Sequence, residues 1–155
     1  MNGDKERFTL DTNLLVYSVD RSAGRRHRLS IEIIRQAARA DCWVMLQAVS
    51  EFFSAVTRKR IMPRDRAAAL AGHWLDVFPH AMASAHAVRT ALADSVAGRA
   101  AYWDALLVAT AAEAGCRLIL TEDLADGTTL GGVAIHNPFA GPAGLTGRAR
   151  GLLGM

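Results

Sequence analysis

The stretch YWDALLVATAAEAGCRLILTEDLADG, Tyr102 to Gly127, decides the fold. Its first half, Tyr102 to Ala114, is built of strong helix formers. Gly115 marks the end, since glycine accepts the left-handed backbone that closes a helix. CRLIL (Cys116 to Leu120) follows as a short unbroken apolar run, the pattern of a strand covered on both faces. That run stops abruptly at three polar residues, Thr121, Glu122 and Asp123.

Working outward, the same alternation recurs. Phe8 to Leu10 reads as a strand that passes through Asp11, Thr12 and Asn13 into a short helical turn. His27 to Ala40 carries Leu29, Ile33, Ile34, Ala37 and Ala38 at helical spacing, and Cys42 to Leu46 is again a short apolar run. Val49 to Lys59 returns to helix with Phe52, Phe53 and Val56, and Pro63 opens another over RDRAAALAGHWLDVF. Ser84 suits the cap of a helix reaching about Val96. AGRAA (Ala97 to Ala101) and ADGTTLGG read as loops, and Val133 to Asn137 is a last strand halted by Pro138. Strands alternating with helices predict an α/β protein, a three-layer α/β/α sandwich with a central parallel sheet. A single domain over residues 1–140 is expected, followed by a Gly-rich tail, residues 141–155, that is loose or dependent on a partner.

The chain has 155 residues, half of them apolar and 21% charged, which suits one globular domain with a real core. No apolar run approaches the roughly 20 residues of a membrane span, and MNGDKERF at the start is polar with no signal-type apolar segment behind it. Cys42 and Cys116 each lie in apolar context and are expected as buried free thiols, which makes the cytoplasm the default location. Net charge is +3, with Arg outnumbering Lys 16 to 2. Arg21, Arg25, Arg26 and Arg28 form one basic cluster; Arg58, Lys59, Arg60, Arg64 and Arg66 form a second. Such clusters are solvated faces in many proteins, and they also attract polyanions, chiefly nucleic acid.

Ligands of open parallel sheets bind beyond the carboxyl ends of the strands. Four acids fall there: Asp11 ends the first strand, Glu51 begins the helix after the second, Asp104 lies in the first turn of the helix from Tyr102, and Asp123 follows CRLIL. An acid at a helix N-terminus is favoured by the helix dipole in any case. Four that interrupt apolar context at one edge ask for more than that. Close carboxylates repel unless a cation lies between them, and an all-oxygen set suits Mg2+ or Mn2+ rather than Zn2+. His27, His73, His80, His86 and His136 are scattered, without a metalloprotease spacing. No phosphate-binding glycine loop, dinucleotide fingerprint or serine-nucleophile elbow occurs. An acidic, cation-holding pocket on an Arg-rich protein suits hydrolysis of a phosphodiester, with basic flanks holding the polyanion.

LDTNLLVYSVD, LQAVSEFFSAVTRKR, the stretch from Tyr102 to Gly127 and the closing HNPF together resemble the PIN-domain nucleases, and more narrowly the VapC-type ribonuclease toxins of bacterial toxin–antitoxin pairs. The resemblance runs from Phe8 to about Ala140 in the expected order. It implies a metal-dependent endoribonuclease, with Mg2+ or Mn2+ held by Asp11, Glu51, Asp104 and Asp123 as catalytic and metal-binding acids. Thr12, Asn13 and Thr121 would be their polar supports. It further implies an RNA substrate such as transfer or ribosomal RNA, a small antitoxin that occludes the site, and a toxin homodimer. Glu122 and Asp126 stand close enough in sequence to share or replace the role of Asp123, and Asp20 is read as a loop or cap residue. Tyr102 and Trp103 are expected to pack against the sheet or a second copy, with base stacking as the other option, and Trp43 and Trp74 to lie in or near the core. A PIN nuclease serving RNA processing or DNA repair, or a silent RNA-binding PIN domain, is the competing reading; presence of all four acids speaks against the silent one. A dehalogenase-like phosphatase needs a second Asp two residues after the first, where this chain has Asn13.

Overall fold

The computed structural model describes residues 5–155, the side chain of Ala143 excepted; the start of the expected domain, residues 1–4, which is the first half of the polar stretch MNGDKERF, lies outside the described residues. Three parallel strands carry the architecture. β1 (Phe8–Leu10) pairs with β4 (Leu118–Leu120), which pairs with β6 (Val133–His136), in the register Phe8–Leu118–Ala134 and Leu10–Leu120–His136. Phe8, Thr9 and Leu10 are all fully buried although successive side chains point to opposite faces. Both faces of the sheet are therefore covered, as the unbroken apolar runs require.

The helices fit between these strands. α1 (Thr12–Tyr17) follows β1 at once, and α2 (Arg25–Ala37) packs on it. β2 (Val44–Met45) runs straight into α3 (Leu46–Arg58), which packs against α1 and α4 (Arg64–Val77), the latter opening after Pro63. α3 therefore begins earlier than the expected Val49, and the strand expected over Cys42–Leu46 shrinks to two residues. α2 likewise starts two residues earlier and stops three short of the expected span, in a turn over Ala38–Ala40. Phe52 meets Trp74 edge-on, with ring centroids 4.6 Å apart, at the centre of the α3–α4 interface.

Two elements were not readable. β3 (His80–Ala81) pairs parallel with β2, and β5 (Thr129–Leu130), inside the expected loop ADGTTLGG, pairs antiparallel with β6. Two residues carry too little alternation to register as a strand. The sheet order is thus β1-β4-β6-β5, with β2-β3 joined to β1 through a bridge between Phe8 and Cys42. α5 (Ala85–Val96), capped by Ser84, pairs with α6 (Tyr102–Glu113) around a small-residue cluster of Ala87, Ala91, Ala105, Leu106 and Ala109. Gly115 ends α6 with φ +85, and a Cβ there would sit 3.2 Å from an Arg7 guanidinium nitrogen. That arginine donates to the Ala114 carbonyl (2.8 Å), so the glycine serves both the turn and the close approach.

The tail departs from expectation. Residues 141–155 fold onto the body as a 3-10 turn and α7 (Gly147–Leu153), and Leu145, Ala149 and Leu153 are buried in the same core as Phe8. Thr146 caps α7 by accepting from the Ala149 amide (3.1 Å), and its own amide donates to the Pro138 carbonyl (2.9 Å). Both cysteines are buried free thiols, as expected. Among the described residues no helix is long and apolar enough to cross a membrane.

Candidate active site

β1, the first turn of α6 and the turn after β4 deliver acids to one edge of the sheet, and the face of α3 delivers the fourth. Asp11 continues the β1–β4 ladder with its amide (to the Leu120 carbonyl, 3.0 Å) and at once caps α1, so its carboxylate is turned out of the strand. Its two oxygens are both engaged: Oδ1 accepts from the Thr12 amide (2.7 Å) and Oδ2 from the Thr121 hydroxyl (2.7 Å). Thr121 is fully buried and acts as a hub, for its oxygen also accepts from the Asn13 side-chain amide (3.3 Å) and from the Asp123 backbone amide (3.1 Å). One hydroxyl thereby fixes Asp11, Asn13 and the turn that carries Asp123.

Glu51 is held from two sides. Its Oε2 accepts from the Thr12 hydroxyl (2.9 Å) and its Oε1 from Gln47 (2.9 Å), one helical turn before it on α3. Gln47 also donates to the Trp103 carbonyl (2.9 Å), tying α3 to the start of α6 beside Asp104. Sequence reasoning missed Gln47; its position four residues before Glu51 was the available signal.

Asp11, Glu51, Asp104 and Asp123 line one cleft of about 540 Å³ together with Thr12, Asn13 and Tyr17, and Arg58 and Lys59 from the second basic cluster complete its wall. The neighbouring acids are engaged elsewhere. Glu122 turns away, accepting from the Tyr17 hydroxyl (2.7 Å) and from Arg26 Nε (2.6 Å). Asp126 accepts from the Asn137 amide (2.8 Å) and faces His136 (3.6 Å), and Asp20 accepts from Ser22 in the turn after α1. Of the three neighbours in the turn, only Asp123 reaches the cleft. Trp74 is buried and Trp43 partly so, while Trp103 is 63% exposed and stands edge-on to Tyr102 instead of packing on the sheet.

The electrostatics are those of crowded acids. Asp11, 6% exposed, has its pKa raised from 3.8 to about 6, mainly by burial, with the charges of Asp123 and Asp104 adding and the Thr121 and Thr12 hydrogen bonds opposing. Asp104 is raised by burial and then by Asp123 and Glu51. Among the described residues none of the four acids forms an ion pair, and no three His, Cys, Asp or Glu side chains converge closely enough to clasp an ion as they stand. Asn13 Oδ1 and Gln47 Oε1 are buried with no hydrogen-bond partner among the described residues. An all-oxygen, net-negative set with spare buried oxygens beside it fits a hard divalent cation by donor chemistry and by charge.

The chain is an α/β protein with a mostly parallel sheet and an acid-lined cleft at the carboxyl edge of its strands. Solved structures agree. Mycobacterium tuberculosis VapC20, described as a sarcin-ricin loop cleaving toxin, superposes with a TM-score of 0.58 at 17% identity over 75% of this chain and 89% of its own. VapBC2 from Rickettsia felis, solved bound to a DNA fragment of its promoter, gives 0.60 at 12% identity over 84% and 98%. DNA-bound VapBC from Salmonella typhimurium gives 0.57 at 14% identity over 84% and 97%. The chain has the fold of these VapC toxins. No protein-family model and no curated protein sequence matches it.

Proposed function

We propose that the protein is a metal-dependent endoribonuclease that acts as the toxin of a toxin–antitoxin pair. The observation that carries the reading is the cleft itself. Four acids from four separate parts of the chain line one cleft, none in an ion pair among the described residues, on a fold shared with VapC toxins. Asp11, Glu51, Asp104 and Asp123 would hold Mg2+ or Mn2+, which would supply positive charge that makes water easier to ionise and offsets charge gathering on the phosphate. The rest is the work of the chain. Thr121 and the Thr12 amide fix the two oxygens of Asp11, while Gln47 and the Thr12 hydroxyl fix those of Glu51. Arg58 and Lys59 draw the polyanion to the wall of the cleft.

A cytoplasmic transfer or ribosomal RNA substrate, a homodimer and a small inhibitory antitoxin complete the proposal. The toxin–antitoxin complexes among the structural neighbours favour it over a PIN nuclease of RNA processing or DNA repair. The test is cleavage of RNA by the purified, partner-free chain. Activity is expected with Mg2+ or Mn2+, none in EDTA, and none in Asp11→Asn or Asp104→Asn. Full activity in EDTA, or undiminished cleavage by both variants, refutes it. Sequencing the cut ends after controlled expression identifies the RNA.

A further inference from the structure

Glu122 adjoins Asp123 but faces away from the cleft, and what it holds is informative. Arg26, two residues into α2, donates its Nε to both oxygens of Glu122 (2.6 and 2.9 Å). The same carboxylate accepts from the Tyr17 hydroxyl (2.7 Å), and Tyr17 is itself a wall residue of the cleft. The guanidinium lies 5.8 Å from the centre of the Phe139 ring, which Tyr17 meets edge-on with centroids 6.1 Å apart. Burial and Glu122 raise the Tyr17 pKa to about 12, so its hydroxyl stays a donor.

This arrangement is unlike an ordinary surface ion pair. A flexible arginine, whose side chain carries about 2 kcal/mol of rotamer entropy, is fixed by its Nε edge and by an aromatic ring. Among the described residues Nη1 and Nη2 donate to nothing, and the side chain is 51% exposed. The unused end is a planar two-pronged donor that matches the two free oxygens of a phosphodiester.

We infer that Arg26 is a preset clamp for a backbone phosphate of the RNA flanking the cut, with Glu122, Tyr17 and Phe139 as its positioning residues. The inference rests on the nuclease reading above. The ligand class is a phosphodiester strand lying along the Tyr17 side of the cleft. Glu122, a candidate acid by sequence, thereby acts through Arg26.

The experiment measures binding of a short single-stranded RNA by fluorescence anisotropy in EDTA, where no cutting occurs, across a series of salt concentrations. Arg26→Ala is expected to weaken binding about tenfold, as for one charge-assisted hydrogen-bonded pair, and to flatten the slope of log affinity against log salt by about 0.7. Arg26→Lys keeps the charge and the slope but recovers little of the affinity, since it lacks the fork. Arg99→Ala, an exposed arginine paired with Asp94 where neither residue lines the cleft, serves as control and changes neither. Glu122→Gln gives the sharpest reading. Removing a negative charge strengthens RNA binding if Glu122 merely neutralises Arg26, and weakens it if Glu122 aims the guanidinium. Tighter binding by Glu122→Gln overturns the inference. So does RNA binding by Arg26→Ala equal to wild type, including the case where that variant loses a protein partner instead; the nuclease reading then stands. Failure of the wild-type chain to bind RNA in EDTA overturns the inference alone, because the nuclease reading is tested separately by cleavage with Mg2+ or Mn2+.

Discussion

Asp11→Asn is expected to make the metal-free protein more stable at neutral pH, and the structure sets the size of the effect. In the folded chain the Asp11 pKa lies above its ordinary value, 3.8 against about 6. Between those two pH values the folded chain keeps a proton that the unfolded chain has released. Stability therefore falls as pH rises through that window and stays lower above it. At about 1.36 kcal/mol per pH unit, the ionised form costs about 3 kcal/mol above pH 6.5. The amide removes that cost but introduces a conflict. Both oxygens of Asp11 accept hydrogen bonds, and the Thr121 oxygen already accepts two, so the new NH2 meets Thr121 with no acceptor free. Losing one such bond costs about 1 kcal/mol. The net gain is about 2 kcal/mol at pH 7.5, or about 4 to 8 °C in Tm for a domain of this size. The assay is thermal unfolding of both proteins in EDTA from pH 4 to pH 8. The difference in Tm should be nil or slightly negative at pH 4, rise through pH 5 to 6, and level off. Adding Mg2+ at pH 7.5 should stabilise the wild type and narrow the gap. A pH-independent difference, or a variant less stable than wild type at every pH, refutes the reasoning.

Two further outcomes follow from the same contacts. Thr121→Val keeps the buried shape but strips the hub hydroxyl, so stability should fall by about 2 kcal/mol and the pH midpoint assigned to Asp11 should move above 6, read from the same unfolding series. Thr146→Ala removes the α7 cap and the 2.6 Å contact to His136, costing about 1 kcal/mol, and hydrogen exchange should show α7 amides opening faster while the amides of β4 keep their protection.

What was legible in the sequence had a local cause. Asp11 and Asp123 could be found because each follows the end of an apolar strand, and Asp104 because it lies in the first turn of α6; the carboxyl-edge rule gathers such positions, while Glu51, the sixth residue of α3, reaches the same cleft from the helix face. The choice between Asp123 and Glu122 could not be made locally. It depends on Tyr17 and Arg26, 105 and 96 residues away, which draw Glu122 out of the cleft. The tail misled for a related reason. Leu145, Ala149 and Leu153 do recur at four-residue spacing, but the glycines among them dilute the pattern, and the main core they join is assembled from distant parts of the chain. Trp103 shows the converse limit: an aromatic beside a buried helix reads as packed, yet the helix turns that position outward.

The distribution of charge argues for the cleft more strongly than its composition does. Five of the ten described acids outside it are paired with arginine: Glu6 with Arg148, Glu32 with Arg35, Asp41 with Arg7, Asp94 with Arg99, Glu122 with Arg26. In a chain with 18 Lys and Arg, partners are plentiful, and two of them, Arg58 and Lys59, stand at the wall of the cleft itself. The four cleft acids nevertheless form no ion pair among the described residues. Their hydrogen bonds come from neutral donors, Thr12, Thr121 and Gln47, which fix direction without cancelling charge. A fold selected for stability alone would pair these acids or replace them with apolar groups, since burial and mutual repulsion penalise their ionised forms. Neutral positioning with uncompensated charge preserves what a cation from solution needs: aimed oxygens and a local negative potential. The same logic separates the two roles of arginine here. At the cleft wall Arg58 forms no ion pair among the described residues, as the proposed polyanion site requires, and at Glu122 Arg26 is paired by one edge only, which leaves the other edge free among the described residues.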